Sequence, residues 1–117
     1  MCGIAGFYPR LEMNTSVQIM KRMLTRIKHR GPDQSGIYIN KEAAIGSVRL
    51  SIIDIITGGM PLSHRDESLW IVFNGEIFNY IELKNDLIKR NHVFKTTSDT
   101  EVILHLYEEY GPGFLNK

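Results

Sequence analysis

Three apolar runs follow one another with no helix-like stretch among them, and this succession limits the fold more than any other feature of the chain. They are "SGIYIN" (35–40), "AAIGSVRLSII" (43–53) and "LWIVFNG" (69–75), and polar or turn residues separate them. β-branched and aromatic residues at this length, stopped by a signal such as Asn74-Gly75, read as strands. Consecutive strands pair antiparallel through short links, whereas parallel pairing needs a crossover, usually a helix, between them. The expectation is therefore an α+β fold with mostly antiparallel sheet. A further apolar run, "IAGFY" (4–8), ends at Pro9 and reads as a buried strand. "VFKTT" (93–97) is a fifth, short strand candidate.

Helices surround these runs. "NTSVQIMKRMLTRIKHRGP" (14–32) places Met20, Met23, Leu24 and Ile27 on one face, with Thr15 or Ser16 as its cap and Gly31-Pro32 as its stop. "YIELKNDLIKR" (80–90) carries Tyr80, Leu83, Leu87 and Ile88 at helical spacing. "SDTEVILHLYEEYGP" (98–112) opens on a capping box of Ser98 and Glu101. Its apolar face is Val102, Ile103, Leu106 and Tyr110, and Gly111-Pro112 stops it. "GPGFLNK" (111–117) then looks like the start of another apolar element, as if the chain were cut from a longer polypeptide.

At 117 residues the chain suits one small domain. Fourteen Lys and Arg against thirteen Asp and Glu leave a net charge of +1, which gives no electrostatic case for nucleic acid or an anionic membrane. No apolar run is long enough to span a bilayer, and the N-terminus lacks the pattern of a signal peptide. The single Cys forbids an internal disulfide framework and fits a reducing, cytoplasmic setting. The four His are scattered and show no metal-ligand spacing with Cys2, so no metal site is expected.

Five positions could carry chemistry. Cys2 becomes N-terminal if Met1 is removed, and an α-amine with an unperturbed pKa of about 8 would then share a residue with a thiol that needs a base. An inert buried Cys is the bland alternative. "KHRGPDQSG" (28–36) reads as a helix end and a turn. Arg49 lies within an apolar run and must be paired, either with a protein carboxylate or with a substrate carboxylate. Asn74 and Gly75 are a turn signal, yet an amide side chain beside a glycine N–H can also form a two-donor oxyanion hole. Asp99, in the first helical turn, either complements the helix dipole or binds an ammonium group.

Taken together, "MCGIAGF", "HRGPDQSG", "RLSIID", "NGEIFNY" and "TTSDTEVIL" occur in this order over nearly the whole chain. The set resembles the glutamine-hydrolysing domain of class II glutamine amidotransferases. Relatives acting on fructose-6-phosphate or phosphoribosyl pyrophosphate share the N-terminal Cys and the "RG" turn. "HRGPD" followed by "NGEIFN" resembles the asparagine synthetase branch. The resemblance implies an N-terminal nucleophile hydrolase fold, a four-layer αββα sandwich, of which residues 1–117 would be a part. It implies Cys2 as the nucleophile on the glutamine amide, with its own α-amine moving the proton, and Asn74 with the Gly75 N–H as oxyanion hole. Arg49 would clamp the substrate carboxylate and Asp99 its ammonium group, with Glu76 and Leu50, Ser51, Ile52 and Ile53 completing the pocket. ATP and Mg would belong to a synthetase domain outside this chain, which has no Gly-rich phosphate loop. The implied partners are glutamine and that C-terminal domain, with a homodimer as the assembly. A chain that kept Met1, or an incomplete domain, would instead be a catalytically silent fragment or a module that binds glutamine or a partner. Unfinished sheet edges would favour self-association.

Overall fold

The computed structural model describes residues 2–50 and 59–117. Strand β1 (Gly3–Phe7) leads into helix α1 (Met13–Ile27), which tightens into a 3₁₀ turn over Lys28–Arg30. Strands β2 (Gln34–Ile39) and β3 (Ala44–Arg49) follow. A small pair, β4 (Leu62–Ser63) and β5 (Trp70–Ile71), precedes helices α2 (Tyr80–Lys89) and α3 (Asp99–Tyr110), and a 3₁₀ segment covers Gly111–Asn116.

The main sheet has the order β1-β3-β2, antiparallel throughout. Gly3 faces Val48 across β1 and β3, and Gln34 faces Arg49 across β2 and β3. The antiparallel expectation holds for this sheet and for the β4-β5 pair. α1 lies on the main sheet and buries Met20 and Leu24 in the same layer as Ala44 and Val48. A second core joins α2 to α3 through Leu87, Val102 and Leu106, with Tyr80, Leu83, Phe94, Tyr110 and Phe114 packed around it. Both cores follow the apolar spacing of their helices.

Several local expectations are corrected. β1 is an edge strand rather than a buried one: Ile4 is 50% exposed. α1 is capped by Glu12, whose carboxylate accepts from the Thr15 N–H at 3.2 Å. Thr15 and Ser16 lie inside the first turn, and the buried Ser16 hydroxyl instead exchanges hydrogen bonds with Leu11. A carboxylate one turn earlier therefore out-competes the hydroxyls for the same orphan donors. Of the run 69–75 only Trp70–Ile71 is strand, and of 43–53 only Ala44–Arg49, with 51–53 outside the described residues. Ile88 is 49% exposed and so leaves the predicted face of α2.

Residues 93–97 form no strand. Their donors are taken from the side by Glu101, which accepts from the Lys95 N–H (2.8 Å), the Thr96 N–H (2.7 Å) and the Thr96 hydroxyl (2.6 Å). The same carboxylate is thereby lost to the capping box. Ser98 caps α3 through the Thr100 N–H, but its own N–H goes to the Thr96 hydroxyl. α3 stops as expected, at Gly111, whose φ of +57° is costly for any residue with a Cβ.

Gly31 is required by proximity. A Cβ there would sit 2.5 Å from the Arg49 N and 2.6 Å from the Val48 carbonyl carbon, so only glycine lets the turn cross the end of β3. Pro32 forms a bridge to Arg49, and the Asp33 N–H donates to the Arg49 carbonyl at 3.1 Å. Gly31→Ala is expected to destabilise the fold by about 1–3 kcal/mol, read as a lower urea midpoint at unchanged slope. An unaltered midpoint would show that the turn has room to move.

Candidate active site

One small cavity, about 60 Å³, lies where the N-terminus, the end of β3 and the start of α3 meet. Cys2, Arg49, Gly75, Glu76 and Asp99 line it, with Leu50 at its edge. Most of the residues singled out from the sequence are thus brought together. Ser51, Ile52 and Ile53 lie outside the described residues. Asn74 has an exposed side chain and is not among the residues lining the cavity, whereas its neighbour Gly75 is.

Each side chain has a structural reason to be there. Cys2 precedes β1, and its Sγ lies 3.6 Å from the Leu50 carbonyl oxygen. Its own carbonyl accepts from Arg30 Nε at 3.1 Å. Arg49 ends β3 and is only 6% exposed, with Nη1 3.4 Å from Gln34 Oε1 on the paired strand. Asp99 is buried in the first turn of α3, and its Oδ2 accepts from the Ile77 N–H at 3.0 Å. That bond ties the loop carrying Gly75 and Glu76 to the helix. The "HRGPD" turn, which reads in the sequence as a mere helix stop, has two structural duties. Arg30 holds the backbone of Cys2, and Gly31 lets the turn pass the backbone of Arg49.

Residues missed in the sequence support the walls. Met60 accepts the Phe73 N–H on its sulfur at 3.2 Å, and its carbonyl takes the Ser47 hydroxyl at 3.2 Å. Met60, Phe73, Ser98 and Thr100 also line the cavity. Apolar and hydroxyl residues of this kind carry no pattern in sequence, so nothing there separates them from ordinary core. Arg30 was legible only as a cation at a helix end.

The cavity therefore joins a thiol, a buried guanidinium, two carboxylates and a glycine backbone. A guanidinium and a carboxylate facing one pocket suit a zwitterion: one reads a carboxylate, the other an ammonium group. The thiol beside them can attack a carbonyl carbon held in the same pocket.

The chain belongs to the glutamine amidotransferase domain family, whose model matches residues 1–117. It is 45% identical over 113 residues to asparagine synthetase [glutamine-hydrolyzing] 1 of Bacillus subtilis, covering 94% of this chain and 18% of that protein. It is 46% identical to the second such synthetase of the same organism, covering 99% of this chain and 16% of that protein. For asparagine synthetase [glutamine-hydrolyzing] 1 of Arabidopsis thaliana the identity is 41%, over 99% of this chain and 20% of that protein. The chain thus spans about a fifth or less of the length of these relatives. Among the described residues no helix is long and apolar enough to cross a membrane.

Two of the four histidines, apart in sequence, meet in space: the ligand atoms of His64, after β4, and of His105 and Glu108, on α3, lie within 4.8 Å of one another. No spacing rule in the sequence connects these residues; the fold alone brings them together.

Proposed function

We propose that this chain hydrolyses the side-chain amide of glutamine to glutamate and ammonia through a Cys2 thioester. The single observation that carries the reading is that Cys2, Arg49, Gly75 and Asp99 share one cavity. In this reading Arg49 holds the substrate α-carboxylate and Asp99 the α-ammonium group, which leaves the side-chain amide to reach Cys2. Met1 must first be removed. The Cys2 α-amine then takes the thiol proton, and Sγ attacks the amide carbon. Gly75 N–H and Asn74, once its side chain turns inward, stabilise the oxyanion. The C–N bond breaks, ammonia leaves with the proton from the amine, and water cleaves the thioester to glutamate.

Ammonia so released would serve a synthetase domain in the same polypeptide, with ATP and Mg there and asparagine as the product. The names of the relatives support this reading, as does the small share of their length that the chain covers. In the full domain, the main sheet and α1 would form part of a four-layer αββα sandwich, and Ser51, Ile52 and Ile53 would extend the glutamine pocket beside Leu50. A homodimer and a cytoplasmic location belong to the same reading.

The test is glutamate release from glutamine by the full-length protein, with its N-terminal mass determined. Hydroxylamine should divert the thioester to γ-glutamyl hydroxamate. Protein that lacks Met1 yet releases no glutamate would overturn the reading. Arg49→Lys is expected to raise KM for glutamine by ~10²-fold, with a smaller change in kcat, because a point charge replaces a two-pronged donor. A change confined to kcat would show that Arg49 does not hold the ground-state substrate.

A further inference from the structure

Three of the four histidines converge at one point. His64 follows β4, His92 follows α2, and His105 lies midway along α3; His64 and His105 are 4% and 3% exposed. Each gives one ring nitrogen to a carboxylate. His64 Nδ1 lies 3.0 Å from Asp66 Oδ1, His92 Nε2 lies 3.0 Å from Glu109 Oε2, and His105 Nε2 lies 3.5 Å from Glu101 Oε1. Asp66 is itself fixed by the Ser68 hydroxyl at 2.6 Å and the Ser68 N–H at 3.0 Å. Glu101 is fixed by the Lys95 and Thr96 backbone.

The remaining nitrogens all turn toward Glu108. Its Oε2 lies 3.0 Å from His64 Nε2, 3.3 Å from His92 Nδ1 and 3.9 Å from His105 Nδ1, and the two Nδ1 atoms are 3.0 Å apart. His64 Nε2 is buried without a hydrogen bond, since the Glu108 oxygen is near but poorly aligned.

Each ring turns one nitrogen to a carboxylate of its own and the other toward Glu108, so three imidazole nitrogens and one carboxylate oxygen gather at one place. A carboxylate behind each ligating histidine is also the usual outer arrangement of a metal site. With bonds of about 2.0–2.1 Å, tetrahedral zinc needs its ligand atoms roughly 3.3 Å apart; the contacts to Glu108 and between the Nδ1 atoms run from 3.0 to 3.9 Å, and the His64, His105 and Glu108 ligand atoms lie within 4.8 Å of one another, so a bound ion would draw the group inward. A cavity of about 280 Å³ opens beside the group and gives an ion a way in.

We infer that His64, His92, His105 and Glu108 form a binding site for one divalent transition-metal ion, zinc being the best fit to three nitrogens and one oxygen. Four protein ligands close the shell, so the ion is structural: it ties the β4-β5 turn and the α2–α3 loop to α3. It plays no part in the proposed glutamine chemistry, and its test does not depend on that reading.

The test is titration of chelator-treated full-length protein with Co²⁺ and then Zn²⁺. One equivalent of Co²⁺ should give the intense visible bands of a tetrahedral site, Zn²⁺ should displace it, and the melting temperature should rise with either ion. Glu108→Gln and His92→Gln should each weaken binding at least 10-fold, and Asp66→Asn about 10- to 100-fold through His64. Glu108 and Asp66 are exposed, so those two variants keep the fold, and circular dichroism checks it. Absence of stoichiometric binding by the parent protein would overturn the site, because the cluster would then be held by protons alone. Equal affinity in Glu108→Gln and His92→Gln would place the ion elsewhere and overturn it too.

Discussion

Replacing Cys2 by Ala is expected to lower kcat/KM for glutamine by ~10³-fold or more, because the other cavity nucleophiles, the Ser98 and Thr100 hydroxyls, are far weaker than a thiol at neutral pH. The fold should tolerate the change. Cys2 is only partly buried, and its thiol makes a long 3.6 Å contact with the Leu50 carbonyl oxygen. Glutamine binding should also survive, since Arg49 and Asp99 remain. The expected signature is thus a loss of kcat with little change in glutamine affinity, measured by calorimetry alongside glutamate release. Equal release by Cys2→Ala and the parent would sink the thioester route. Cys2→Ser separates nucleophilicity from shape: a hydroxyl of similar size without an easily formed anion should leave only a trace of activity.

The second large effect concerns stability. Glu101→Ala should destabilise the fold by about 3–5 kcal/mol, because it strands the Lys95 and Thr96 N–H groups, the Thr96 hydroxyl and the His105 ring. The measure is the urea midpoint at neutral pH. A loss under about 1 kcal/mol would mean that water replaces the carboxylate at each donor. The acid limb of stability carries the same signature. Burial pushes the Glu101 carboxyl up, but hydrogen bonds from His105, the Lys95 N–H, the Thr96 hydroxyl and the Thr96 N–H outweigh it and hold its pKa at about 2, below the ordinary 4.5. The folded state therefore binds this proton less readily than the unfolded chain. The resulting stability is present above about pH 4.5 and lost as pH falls toward 2. Glu101→Gln should flatten the stability profile across that window. A slope unchanged from the parent would assign acid unfolding to other carboxylates.

How much of this was legible beforehand differs from element to element. The α+β class and antiparallel pairing followed from strand runs in series. The helix faces followed from 3.6-residue spacing, with Met20, Leu24, Val102 and Leu106 buried as read. The failures cluster where side chains replace backbone partners. Glu101 was assigned to a local cap but reaches outward to residues 95 and 96, which removed both the capping box and the strand at 93–97. A local pattern cannot reveal that choice, because both uses satisfy backbone donors equally well. Glu12 took the cap from Ser16 for a related reason: the charged acceptor lies at the position the helix start leaves free.

For the site, each motif had a bland reading on its own. Arg49 could have been an internal ion pair, and Asn74-Gly75 a turn. Their combination was informative because antiparallel pairing brings residue 3 beside residue 48. The histidine group was illegible for the opposite reason. His64, His92 and His105 come from three elements with no shared spacing, and only the packing of the β4-β5 pair and the α2–α3 loop on α3 joins them.

The β1-β3-β2 order also sets a timetable. β1 is made first but has no partner until β3 emerges, because Gly3 pairs with Val48 and Phe7 with Ala44. At roughly 5–20 residues per second, synthesis leaves the N-terminus unpaired for several seconds after it clears the ribosome. Removal of Met1, which the proposed chemistry needs, can therefore come before β1 is paired. Once β3 arrives, pairing and the Arg30 contact to the Cys2 carbonyl fix the end in place. Strand order in this fold thus gives a processing enzyme its opening before Cys2 is held in place.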